Sequence, residues 1–183
     1  MEASMRRKAA GGLISVTFAW GATFIWMKQA MNAIQPEIEA VGRTPVVAAL
    51  VGGRFLIAFV ALYAISKEAR SALLNPQLWK GGAILGGILL IGFITQMIGL
   101  DSITPSTSAF LTSLYVVFTA LITTALTGQR VTRTMILGVA LATFGAGFIE
   151  GPPHLSWGIG EVLTVFCAFF FALHILFTQK ITQ

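Results

Sequence analysis

The sequence predicts an all-α membrane protein, a polytopic bundle of about six transmembrane helices. Three observations carry that prediction. Hydrophobic residues make up 56% of the 183 and charged residues only 10%, against about a quarter charged in an ordinary globular domain. The mean hydropathy is +0.83. The apolar residues also gather into six runs, and each is near the ~20 residues that a hydrocarbon core of ~30 Å requires. Lipid must therefore be the solvent for most of this chain. Backbone groups in lipid have to bond within their own segment, so each run is expected to be a helix.

The runs cover 11–31, 45–65, 81–100, 105–126, 134–149 and 158–178. The first follows Arg6, Arg7 and Lys8, as the core of a signal peptide would. It is longer than the usual ~7–15 apolar residues of such a core, and five more runs follow, so an uncleaved first helix is expected. Pro36 and Pro45 bracket the first loop. In the second run, the apolar stretch after Arg54 is 55–65. Its length of roughly 16 Å is too short to span. The helix must therefore include 46–53, which puts Arg54 inside the membrane.

Asn75 and Pro76 mark the break before the third run, which carries a GxxxG at Gly82 and Gly86. Thr104–Pro105 reads as an N-cap followed by proline at the first helical position. The fifth run bears a small-residue stripe at Gly138, Ala142 and Ala146. Such stripes let helix backbones approach closely, and simple bundle packing is their expected use. Gly151, Pro152 and Pro153 separate the fifth and sixth runs. No linker is long enough for a separate soluble domain.

Orientation follows from the basic residues. Arg6, Arg7, Lys8, Lys67, Arg70, Lys80, Arg130, Arg133 and Lys180 share one side, nine of the twelve Lys and Arg. The other side's loops hold only Arg43, together with Glu37, Glu39, Asp101 and Glu150. Both ends of the sequence are thus expected on the cytoplasmic side of an inner or plasma membrane. The net charge of +5 comes from short runs between apolar segments rather than from a basic stripe, so nucleic-acid binding is not expected.

A guanidinium at mid-membrane is costly unless it faces a cavity or a partner. Arg54 reads either as an anion contact in a solute cavity or as half of a structural pair, with Glu161 a candidate partner. Lys28, near the outer end of the first helix, is expected to snorkel to the headgroups. Trp79 and Trp157 sit at span edges, as an aromatic belt would place them, and Trp20 lies near mid-membrane. Thr95 and His174 are further polar groups within spans; most such Ser and Thr bond back to their own helix, and a neutral, packed histidine is the expected state. Cys167 is alone, so no disulfide within the chain is available and no cysteine metal cluster can form. His154 and His174 lack zinc-ligand spacing, and no nucleophile elbow, phosphate loop or HExxH occurs. Neither an enzyme nor a cofactor is expected. No Asp or Glu falls in the middle of a span, which argues against a simple carboxylate-driven proton antiporter.

The order of several short motifs resembles the EamA-type transporters of the drug/metabolite transporter superfamily. Trp20–Gly21–Ala22–Thr23–Phe24 is similar to that family's WGxxF run, and Arg54–Phe55–Leu56 to the arginine-led start of its second helix. Gly99–Leu100, Thr104 and the small residues from Ser106 to Leu111 resemble its GLxxT segment. Gly128, Arg130 and Thr132 sit at its cytoplasmic turn, and Gly138 and Gly145 match glycines of its fifth helix. Two positions depart: Gln129 stands for the turn glutamate, and Tyr115 for the proline of the fourth helix, which removes the usual reason for a kink there.

The resemblance implies two five-helix repeats in inverted orientation, with a solute site near the midplane between them. Residues 1–10 would be a cytoplasmic tail and 11–150 the first repeat. Residues 151–183 would be a loop and the first helix of an incomplete second repeat. The implied activity is alternating-access movement of a small metabolite, amino acid or drug-like solute. Intramembrane polarity and the family pattern together nominate Trp20, Thr23, Arg54, Gln96, Ser108, Thr112 and Tyr115 as substrate-binding residues. A different class of reading stays open at this point. The chain would then be a non-transporting membrane subunit or scaffold, assembled through its Gly/Ala helix faces. A chain with helices built to face a missing repeat is expected to be poorly stable or a homodimer.

Overall fold

The computed structural model describes residues 2–128, 132–147 and 158–182. Expectations placed on Gln129, Arg130, Glu150, the break at 151–153, His154 and Trp157, on Gly145, and on the side chains of Ala142 and Ala146, fall outside what it describes. The described chain is a polytopic helical bundle with no strand. Among the described residues, five helices are long and apolar enough to cross a membrane: Ala9–Ala33, Arg43–Ile65, Pro76–Ser102, Pro105–Leu126 and Ile159–Ile181. Their outer faces carry exposed Leu, Ile, Val and Phe, as lipid contact requires.

Helix α1 (Glu2–Ala33) leads into a short α2 (Gln35–Val41), which occupies the loop between Pro36 and Pro45. Gly42 joins α2 to α3 (Arg43–Ile65) at φ 93°, a backbone region that glycine enters without a Cβ penalty. Its N–H bonds to Ile38 O at 2.9 Å. Ser66 ends α3 and caps α4 (Lys67–Leu73), accepting from Ala69 N–H at 3.1 Å. Arg70 donates to the last-turn carbonyls of Tyr63 and Ala64, placing a cation at the negative end of the α3 dipole.

Asn75 and Thr104 act as N-caps, with Pro76 and Pro105 at the first helical position of α5 (Pro76–Ser102) and α6 (Pro105–Ser113). The fourth span breaks at Leu114, before α7 (Tyr115–Thr127). A break thus exists where tyrosine replaces the family's proline. At the break, Leu114 N–H bonds to Leu111 O at 3.2 Å, three residues back rather than four, and the Ser113 hydroxyl donates to Phe110 O at 2.7 Å. Gly128, at φ 65°, closes α7, as a left-handed C-terminal glycine does. Helices α8 (Arg133–Gly147) and α9 (Ile159–Thr182) complete the order.

The heart of the bundle is α5 against α9. A Cβ on Gly81 would meet Ile181 at 3.0 Å, one on Gly92 would meet Phe171 at 2.6 Å, and one on Gly99 would meet Gly160 O at 2.7 Å and Thr164 Oγ1 at 2.6 Å. A Cβ on Gly160 would in turn meet Gly99 O at 2.9 Å. Spacings of eleven and then seven residues keep Gly81, Gly92 and Gly99 within about 20° of one face at 3.6 residues per turn. Rising numbers on α5 pair with falling numbers on α9, so the two helices are antiparallel. The expected packing glycines differ from these. Gly82, Gly86 and Gly138 have nothing within 4 Å of an added Cβ. Gly86 is six residues from Gly92, about 240° round the helix, and so points away from α9.

The antiparallel pair also bears on the sixth span. Thr112 lies beside Cys167, and Phe118 packs edge-on to Phe169 at 6.0 Å. The fourth span therefore runs alongside α9 in the same direction. For α9 to start at the Gly99 end, the chain must cross back between Thr127 and Ile159, the interval that holds α8. The described part of α8 has 15 residues, roughly 22 Å at 1.5 Å per residue.

Gly99→Ala is expected to destabilise the protein by about 1–3 kcal/mol, because the backbone carbonyl of Gly160 has little room to move. Gly86→Ala is expected to be neutral or to stabilise by up to ~1 kcal/mol through helix propensity. Unfolding by sodium dodecyl sulfate in mixed micelles measures both. Equal effects at the two positions would contradict the assignment of the packing face.

Candidate functional site

Arg54 is the twelfth of 23 residues in α3. It stands about 16 Å of helix from either end, so its side chain reaches neither headgroup layer. Val51 and Val47, one and two turns earlier on the same face, are buried against α1 and α5. That packing turns Arg54 inward. Its Nη1 donates to Met27 Sδ at 3.1 Å, and its guanidinium carbon sits 4.7 Å from the centre of the Phe93 ring. Phe93 is itself held edge-to-face by Phe55 and by Phe171, each at 5.2 Å. Phe171 is the ring seated against Gly92.

Arg54 is on the wall of a largely apolar cavity of about 230 Å³, which Thr23, Trp26, Met27, Ala30, Leu50, Val51 and Met97 also line. Among the described residues no carboxylate pairs with Arg54. Glu161, the partner considered from sequence, accepts instead from Gly158 N–H at 2.9 Å and so caps the start of α9. A central arginine costs a membrane helix roughly 2.5–3.5 kcal/mol even on the mildest scale. A ring face returns ~0.5–2 kcal/mol, and a thioether is a weak acceptor. Protein contacts therefore leave part of the charge uncompensated.

The seven nominated residues fall into three places. Thr23 and Arg54 share the cavity, where the Thr23 hydroxyl also donates to Trp20 O at 2.6 Å. Gln96, Ser108 and Thr112 are buried among α5, α6 and α9, away from the cavity wall. There the Gln96 amide donates to Thr112 Oγ1 at 2.9 Å, while Gln96 Oε1 and Ser108 Oγ have no partner among the described residues. Trp20 and Tyr115 stack on each other, 6.4 Å apart and 9° from parallel, outside the cavity lining.

The contributors that escaped the sequence reading are Trp26, Met27, Ala30, Leu50, Val51 and Met97 of the wall, and Phe93 against the guanidinium. The helical period gave a usable signal for Met27. Met27 lies one turn from Thr23, on a face that also holds Met31.

A second set of polar contacts fixes the end of the bundle where α1 and α5 finish. Lys28 does not snorkel. Its ammonium donates to Leu100 O at 2.8 Å, Asp101 O at 2.7 Å and Ile103 O at 3.1 Å. These are carbonyls at the end of α5, where a cation also meets the helix dipole. The Asp101 carboxylate pairs with Arg43 at 2.7 Å and accepts from Gln35 Nε2 at 3.0 Å. One aspartate thereby ties α2 and α3 to α5, next to the lysine that ties α1.

Residues 7–150 match the profile of the EamA-like transporter family. The chain belongs to that family. A curated relative, described as an uncharacterized transporter from Archaeoglobus fulgidus, is 30% identical over 166 residues. The match covers 90% of this chain and 46% of the relative, so the chain spans less than half the relative's length. No solved structure matches the chain. The family match includes Thr23 and Arg54 of the cavity and the Lys28 and Asp101 contacts of this EamA-like chain.

Lys28→Met keeps the apolar stem and removes the ammonium from three carbonyls. It is expected to lower stability by about 1.5–3 kcal/mol, the range for bonds to a charged group. The same mixed-micelle titration reads it. An unchanged midpoint would show that those carbonyls find other partners.

Proposed function

We propose that this chain forms part of a solute pathway that carries a small metabolite, amino acid or drug-like compound across the cytoplasmic membrane by alternating access. The observation that carries the reading is the half-buried guanidinium of Arg54, at mid-helix and on the wall of a cavity. Family membership and the relative described as a transporter support it. The step involved is binding and release, with no chemical conversion and no cofactor. On the positive-inside rule, the basic end of the bundle faces the cytoplasm, so both ends of this sequence lie there.

A second reading keeps one observation of its own. Gly82, Gly86 and Gly138 leave open space on outward faces, which suits close approach by another helix. A second copy of the chain, or a partner subunit, would use that surface. Gly86→Leu would then abolish cross-linking between copies in membranes and leave any solute binding intact.

Purified protein in proteoliposomes is expected to move a labelled solute from a broad panel of small metabolites. Arg54→Gln is expected to cut that flux at least tenfold while helix content and thermal stability stay near wild type. No flux across the panel from folded protein would overturn the transport reading.

A further inference from the structure

The lining of the Arg54 cavity says more than that a solute fits there. We propose that the cavity selects organic monoanions, a carboxylate carried on an apolar or aromatic body, over neutral, cationic and zwitterionic solutes of the same shape. The inference rests on the cavity being the solute site and adds a substrate class to it. Four observations carry it.

The guanidinium has five N–H donors, and its hydrogen bond among the described residues goes to the sulfur of Met27. Carboxylates and phosphates match the geometry of that fork, and a single guanidinium with no second cation in the lining balances the one charge of a carboxylate. The remaining wall is Trp26, Met27, Ala30, Leu50, Val51 and Met97, which suits a hydrocarbon or aryl body. Thr23 is the one further polar side chain other than the Trp26 indole, and its hydroxyl proton goes to Trp20 O, which leaves the oxygen as an acceptor. The lining contains no Asp or Glu. The ammonium of a cation or of a zwitterionic amino acid would meet no counter-charge there, and would lie near an arginine.

Size narrows the class further. The cavity, about 230 Å³, lies below the ~300–1,000 Å³ of pockets for drug-sized ligands. A small acid fits better than a larger drug-like molecule. A lipid phosphate would offer similar charge, but Arg54 stands too deep in α3 to reach the headgroup layer. The bound anion is therefore expected to be a free solute.

Equilibrium dialysis of labelled 3-phenylpropionate against the full chain in phosphatidylcholine nanodiscs tests this. 3-Phenylpropanamide, 3-phenylpropylamine and phenylalanine serve as competitors. The carboxylate is expected to bind at least tenfold more tightly than each of the three. Arg54→Gln should bring it down to the affinity of the amide, and Arg54→Lys should keep part of the preference. Equal binding of carboxylate and amide by the wild type would overturn the proposal without recourse to any variant. So would an unchanged preference in folded Arg54→Gln. Replacing part of the lipid by phosphatidylglycerol should leave the affinity unchanged. Competition by that lipid would identify the anion as a headgroup and overturn the free-solute assignment. Flux separates this inference from the transport reading. A carboxylate that binds with the stated preference but never crosses proteoliposomes sinks transport alone. Transport of neutral or cationic solutes with no preference for the carboxylate sinks the anion inference alone.

Discussion

The close approach of α5 and α9 at Gly99 and Gly160 is the contact on which the rest of the bundle depends. Each glycine lies where the other's carbonyl would collide with a Cβ. In lipid no hydrophobic force draws helices together, so tight packing has to supply the attraction. The consequence runs along the interface to the cavity. With the backbones this close, Phe171 seats against Gly92 and meets Phe93 edge-on. Phe93 then presents its ring to Arg54. A glycine contact at one end of two helices thus helps to set the position of a charge on a third.

Charge in the apolar part of the bundle is distributed unequally, and the inequality is informative. Lys28 has three backbone carbonyls, and Asp101 has both Arg43 and Gln35. These groups lie near helix ends, where dipoles and polar loops compensate them. Arg54 lies at mid-helix with a sulfur and a ring face. A structural arginine would be expected to have partners as complete as those of Lys28. Poor compensation beside an open cavity is what a ligand-binding charge requires, since a saturated guanidinium would have to break bonds to take a ligand.

Much of the fold was legible in the sequence, because the bilayer imposes long apolar runs and proline and glycine punctuate them. The Asn75–Pro76 and Thr104–Pro105 starts, and the depth of Arg54, all follow from local chemistry. What was not legible depends on helix phase and on distant partners. GxxxG spacing drew attention to Gly82 and Gly86, yet the face that packs is set by where Gly160 and Phe171 arrive from α9. Nothing local to Lys28 indicates that the end of α5 lies within reach. The break at Leu114 comes without a proline, where Leu114 N–H bonds three residues back to Leu111 O. Likewise, polarity within a span nominated Gln96, Ser108 and Thr112 alongside Arg54. Only the packing separates a knot buried between helices from a group on a cavity wall.

The central claim is that the charge of Arg54 is reserved for a bound anion. A structure of the protein in phosphatidylcholine nanodiscs with 3-(4-iodophenyl)propionate would test it most directly. The carboxylate is expected within about 3 Å of the Arg54 guanidinium, with the iodine among Trp26, Leu50 and Met97. Arg54 bonded instead to a protein carboxylate or carbonyl, with the iodinated acid elsewhere, would contradict it.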